Sequence, residues 1–133
     1  MPSTTTISEV MTESPLCVDM DCDLVEANRL MSERGVRHLP VTENGQAAAM
    51  LSERDIHLAI AVHKDLRAAK LIKVREVCTL DTYSVPPDAS LADVAAHMAE
   101  TQIGSALVVR DDKVVGIYTA TDACRELAKR LNQ

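Results

Sequence analysis

Shifting this chain by 67 residues lays its first half on its second without a gap, and that repeat constrains the fold more than any other feature. Glu9-Val10-Met11-Thr12 falls on Glu76-Val77-Cys78-Thr79, and Val18 falls on Val85. Leu24 meets Leu91, Met31 meets Met98, Glu33 meets Glu100 and Val41 meets Val108. Ser52 meets Thr119, and Asp55 meets Asp122. The matches fall on apolar faces and turn positions, so one supersecondary unit is written twice. Two copies are too few for a solenoid, which needs about three or more. The expected units are residues 7–66 and 74–131, with 67–73 as an ordered connection.

Each unit reads as a helical turn, a short strand, a helix, a strand, a hairpin, a strand and a helix. In the first copy, Ile7–Thr12 suits one helical turn, and Pro15 ends it. Leu16-Cys17-Val18 is a short extended run, and Asp23 is placed to cap a helix. Leu24, Ala27 and Met31 mark the apolar face of that helix, which ends near Gly35. Leu39–Thr42 and Ala47–Leu51 flank Glu43-Asn44-Gly45, and Asn-Gly suits the left-handed positions of a tight hairpin. Ser52 then opens a helix running to His63. In the second copy an apolar strand stops at Thr119, and a helical pattern follows from Asp122 to Leu131. The fold class is mixed α/β: two β-α-β-β-α units packed about an approximate two-fold axis, which would give two related clefts.

The chain has 133 residues, room for one domain or two half-sized units sharing a core. A hydrophobic fraction of 47% supports a core, and without Phe or Trp that core is aliphatic. The net charge of −6 argues against nucleic acid and anionic membrane as partners. No apolar run approaches the roughly 18 residues of a membrane span, and the N-terminus does not resemble a signal peptide. The expected location is the cytoplasm. Cys17, Cys22, Cys78 and Cys124 form no C-x-x-C pair and are expected to be reduced. The four histidines do not fall at ligand spacing with them, so no metal site is expected.

The two strand-to-helix junctions carry the chemistry. Gly116 admits a close approach, because it has no side chain. Thr119 and Asp122 sit at a helix N-terminus, a place that attracts anions. The same Thr-x-x-Asp spacing makes a capping box that satisfies the helix's own N–H groups. Ser52-x-x-Asp55 repeats both possibilities.

Val10-Met11-Thr12, Val36-Arg37-His38-Leu39-Pro40-Val41, Ser52-Glu53-Arg54-Asp55 and Gly116-Ile117-Tyr118-Thr119-Ala120-Thr121-Asp122 together resemble a tandem cystathionine-β-synthase (CBS) domain pair, or Bateman module. The resemblance spans nearly all of Ile7 to Leu131. The second copy matches the family's site motif throughout, whereas the first has Ala49 where Gly is usual. Such modules are regulatory sensors, many of which bind AMP, ADP, ATP or other adenosyl compounds between the repeats. The resemblance implies that Asp122 and Asp55 accept from ribose hydroxyls, with Thr119 and Ser52 meeting the first phosphate. Gly116, Ile117, Tyr118 and Thr121 belong to the same motif, and Arg54 lies beside Asp55. Leu16-Cys17-Val18 and Tyr83-Ser84-Val85 would offer backbone groups to adenine, with Tyr83 and Tyr118 available for stacking. Tyr118, alternating with Ile117, also suits the outer side of a sheet. Arg37 and His38, ahead of Pro40, lie where the family often places cations for the phosphate held by the other repeat. Their counterparts Gly104 and Ser105 are neutral, so the Asp122 pocket is expected to be the stronger.

The resemblance also implies a homodimer. With no room for an effector domain in 133 residues, it implies a separate regulated protein partner, or a module that stores or senses a ligand by itself. No cofactor is required in this reading. The competing reading is a dimerising scaffold with vestigial pockets, favoured by Ala49 and the acidic balance. No nucleophile elbow, zinc pattern or P-loop supports an enzyme.

Overall fold

The computed structural model describes residues 4–63 and 71–133, so most of the expected 67–73 connection lies outside the described residues. In chain order the elements are β1 (Thr12–Glu13), β2 (Val18–Asp19), α1 (Leu24–Arg34), β3 (His38–Glu43), β4 (Gln46–Ser52) and α2 (Glu53–His63). Then come β5 (Ser84–Val85), α3 (Leu91–Thr101), β6 (Ser105–Arg110), β7 (Lys113–Thr119) and α4 (Ala120–Leu131). Short 3-10 turns occupy Ile7–Glu9 and Val74–Glu76.

The residues group into two compact units. One is Leu16–Thr82; the other joins the segment ending at Pro15 to Tyr83–Gln133. Each unit therefore takes its 3-10 turn from the other sequence repeat. In the first unit the sheet order is β2-β3-β4, and Val18 pairs parallel with Val41. In the second it is β1-β7-β6-β5, and Val85 pairs parallel with Val108. The repeat reaches the hydrogen-bond register itself. His38 pairs with Ser52 as Ser105 pairs with Thr119, and both hairpins slip at the same place, Val41/Thr42 and Val108/Val109.

Local chemistry accounts for each element. Asp23 caps α1 by accepting from the Glu26 N–H at 2.8 Å. The helix stops at Gly35, whose φ of 64° is left-handed and whose N–H reaches back to the Met31 and Ser32 carbonyls. Leu24, Ala27 and Met31 are its buried stripe; Leu91, Val94 and Met98 are that of α3. Asn44 and Gly45 both have positive φ, as the tight hairpin requires. In the second hairpin Asp111 and Asp112 take those positions, because a short polar side chain tolerates the left-handed region.

Two details differ from the reading of the sequence. Thr12 lies outside the helical turn, in β1, antiparallel to β7 with Thr12 opposite Ile117 and Glu13 opposite Gly116. The open edge of β7 supplies unpaired backbone groups that this segment satisfies. In the first unit the equivalent contact is the isolated bridge between Met50 and Thr79. Helix α4 also begins at Ala120, two positions earlier than the apolar pattern indicates, because Thr119 is its N-cap.

Candidate functional site

The two junctions are built alike. Ser52 ends β4 and Thr119 ends β7, so each hydroxyl stands where a strand delivers the chain into a helix. The Ser52 N–H donates to Asp55 Oδ2 at 3.1 Å, and the Asp55 N–H donates to Ser52 Oγ at 3.1 Å. The Thr119 N–H donates to Asp122 Oδ2 at 2.9 Å, and the Asp122 N–H donates to Thr119 Oγ1 at 3.3 Å. Both are capping boxes. The N–H of the first helical residue is used as well: Glu53 donates to the Arg37 carbonyl at 2.8 Å, and Ala120 to the Gly104 carbonyl at 3.0 Å. Two of the first three helical N–H groups are thus satisfied internally. An anion arriving here meets side chains more than backbone.

The junctions then diverge. Arg125 Nη1 donates to Asp122 Oδ1 at 3.2 Å, so both oxygens of that carboxylate have partners, and its side chain is only 11% exposed. At the position equivalent to Arg125 the first unit has Leu58, and among the described residues Asp55 carries no such ion pair. Beside Ser52 an open cavity of about 410 Å³ is lined by Arg37, His38, Ser52, Glu53, Arg54, His57 and Leu58. That volume lies within the usual range for small-molecule sites. Among the described residues, two guanidinium groups and two imidazoles converge there, against one lining carboxylate. Asp55 stands behind Ser52 and acts on His38 through space. Burial holds the half-buried His38 imidazole below the ordinary histidine range; Asp55 opposes this and Arg37 reinforces it. Within the first unit, then, Arg37 and His38 gather at the Ser52 junction.

Other candidates fall into three groups. Tyr118 is 1% exposed and packs in the second unit's core, where burial raises its pKa; it does not cover an outer sheet surface. Val18, Pro40, Val85, Gly116 and Ile117 are buried too. Tyr83 stacks on His97 with ring centroids 4.1 Å apart, and its carbonyl accepts from the Leu107 N–H. Leu16 and Cys17 are half-buried, burial raising the Cys17 thiol's pKa, while Ser84, Thr121, Arg37 and Arg54 are exposed. The sequence reading did not name Glu53, His57 and Leu58 among the site residues. Their signal was helical spacing: Arg54, His57 and Leu58 stand at i, i+3 and i+4, one face of α2.

Gly116 owes its identity to packing. A Cβ there would fall 2.9 Å from Met11 Cγ and closer still to the sulfur. One repeat away, the corresponding pair is Ala49 and Cys78. Ala49 is fully buried, and Cys78 packs against its cluster. The extra methyl is matched by a shorter partner, so Ala49 is a volume exchange rather than a mark of decay.

Among the described residues no cluster of three or more potential metal ligands occurs, and no helix is long and apolar enough to cross a membrane. The CBS domain model matches residues 7–62 and 74–129. The CBS domain-containing protein YhcV of Bacillus subtilis is 32% identical over 117 residues, covering 87% of this chain and 81% of that protein. Longer relatives include a homoserine O-acetyltransferase of Methanohalobium evestigatum, 26% identical over 125 residues; 92% of this chain matches, spanning 24% of that protein's length. A putative acetoin utilization protein (AcuB) from Vibrio cholerae superposes with a TM-score of 0.85 at 28% identity, over 98% of this chain and 95% of that one. The CBS domain pair of MJ0100, solved with 5′-methylthioadenosine and S-adenosyl-L-methionine, has the same fold, with a TM-score of 0.85 at 23% identity over 96% and 99% of the two chains. With two tandem matches and the repeat carried into strand register, this chain belongs to the CBS domain family as a CBS pair.

Proposed function

We propose that this CBS pair is a non-catalytic regulatory module that binds an adenosyl ligand, an adenine nucleotide such as AMP, ADP or ATP, and passes its occupancy to a separate protein partner. The observation that carries the reading is the duplicated junction, a half-buried carboxylate fixed three residues after a hydroxyl, with a cation-lined cavity beside one copy. A carboxylate held in that way can accept from vicinal ribose hydroxyls. Arg37, Arg54 and His38 supply the charge a phosphate chain needs. A protein of the same fold solved with two adenosyl compounds supports the ligand class.

In this reading, and in departure from the expectation that the Asp122 pocket is the stronger, the weight of phosphate recognition lies at Ser52 and Asp55, where the basic side chains gather, rather than at Thr119 and Asp122. Calorimetric titration with ATP and adenosine tests it. Asp55→Ala should weaken both ligands, and Arg37→Ala should weaken ATP far more than adenosine. If Asp122→Ala proved the more damaging change for ATP, the second junction would hold the phosphates and the assignment would be reversed.

A dimerising role has its own support. Leu58 and Val62 on α2, and Leu127 and Leu131 on α4, are all more than half exposed. Each pair is spaced i, i+4, an apolar strip suited to a helix of a second copy. A homodimer is therefore part of the proposal. It becomes the leading function if no adenosyl ligand binds.

A further inference from the structure

We propose that the cavity at the head of α2 takes up a proton together with an oxyanion, so that a phosphate-bearing ligand binds there more tightly as the pH falls, with His38 as the group that gains the proton. The inference rests on the adenosyl reading for one source of the oxyanion, a nucleotide's phosphates. Free phosphate or sulfate has the same chemistry and is the other source.

The geometry carries the argument. His38 begins β3 and lies opposite Ser52 on β4, so its ring stands at the junction itself. Among the described residues, the charged and titratable groups facing it are Arg37 on its own chain side and Glu53, Arg54, Asp55 and His57 on α2, with the Ser52 hydroxyl between. Without ligand, burial and Arg37 disfavour the imidazolium more than Asp55 favours it, so the balance lies toward the neutral ring. An oxyanion in the cavity adds negative charge beside a poorly solvated ring, which shifts the balance toward the charged form. The ring then becomes a donor on both nitrogens, matching an acceptor-only ligand. By linkage, affinity rises as pH falls through the ligand-bound midpoint of His38, by up to about tenfold per pH unit, and levels off below the ligand-free midpoint.

The second unit is an internal control. At the positions of Arg37, His38, Arg54, His57 and Leu58 it has Gly104, Ser105, Thr121, Cys124 and Arg125. Both imidazoles are gone. A response to pH carried by an imidazole at the junction therefore belongs to the first unit.

Sulfate is the decisive probe, because its own charge does not change near neutral pH. The imidazole signals of the whole chain are followed by NMR from pH 5 to 8 in chloride and then in sulfate at equal ionic strength. The His38 midpoint should rise by half a unit or more, about a threefold preference of sulfate for the protonated form. That of His97, in the other unit, should stay in place, and Arg37→Gln with Arg54→Gln should shrink the response. A His38 midpoint that sulfate leaves unmoved overturns the proposal. ATP supplies the second arm. Between pH 8 and pH 6 the ratio of wild-type to His38→Gln affinity should grow several-fold, ATP's own titration being common to both. An unchanged ratio also overturns it. If sulfate moves His38 while no adenosyl ligand binds, the proton-linked oxyanion site stands and the nucleotide reading falls. If ATP binds with the same dependence on pH with and without His38, the nucleotide reading stands and the proton linkage falls.

Discussion

Met11 and Gly116 form a pair in which one residue's bulk requires the other's absence of a side chain. Gly116→Ala should destabilise the protein by about 1–3 kcal/mol through overpacking. Met11→Cys, which copies Cys78 at the equivalent place in the first unit, should recover part of that loss. Denaturant unfolding of both single variants and the double variant would show a coupling of about 1 kcal/mol or more; simple additivity would refute the exchange. Arg125 offers a second residue-scale test. It occupies the Asp122 oxygen that a ribose would need, yet it is 65% exposed, so the pair is weak. Arg125→Leu, which copies Leu58, should raise affinity at the second junction by no more than about fivefold. A loss of affinity would instead make Arg125 a ligand contact. His38 also sets a dependence of stability on pH. Its folded-state pKa lies below the ordinary 6.5, so the unfolded chain binds the proton more readily. Stability should therefore fall as pH drops through 6.5 and level off once the folded midpoint is passed. His38→Gln should flatten that slope between pH 7.5 and 5.5 in urea unfolding.

At the scale of elements, what the sequence makes legible is what short-range physics decides. The stripe Leu24, Ala27, Met31 and the turn Asn44-Gly45 announce α1 and the β3–β4 hairpin, because a helical face and a left-handed pair each leave a local pattern. The strand β1 leaves none. Two residues that pair with Gly116 and Ile117 across most of the chain show no periodicity of their own. Tyr118 misleads for a related reason. Alternation on β7 says that it shares a face with Gly116, not which face is covered, and the core takes it. The site divides in the same way. Ser52, Asp55, Thr119 and Asp122 are visible as a repeated spacing, whereas the cavity needs α2 folded before His57 and Leu58 come round to His38. A hydrogen-bond cap binds these scales together. Thr119→Ala removes the acceptor for the Asp122 N–H and should cost about 1 kcal/mol of stability, read as a lowered urea midpoint with an unchanged slope.

For the whole molecule, the proposal is a ligand-responsive dimer. The exposed pairs on α2 and α4 should be covered in solution, so light scattering at micromolar concentration should give twice the chain mass. Leu58→Glu with Val62→Glu should shift the mass toward that of one chain if α2 lies in the contact. The central claim is that the folded chain holds an adenosyl ligand. Its most direct test is the thermal unfolding of the purified protein with AMP, ADP, ATP and S-adenosylmethionine. A ligand that binds only the folded state at a hundredfold excess over its Kd adds about 2.7 kcal/mol. For a chain of 133 residues that is a rise in Tm on the order of 10 °C. Such a rise is expected with at least one of these ligands and should be lost in Asp55→Ala; an unmoved Tm with all of them at millimolar concentration would refute adenosyl binding.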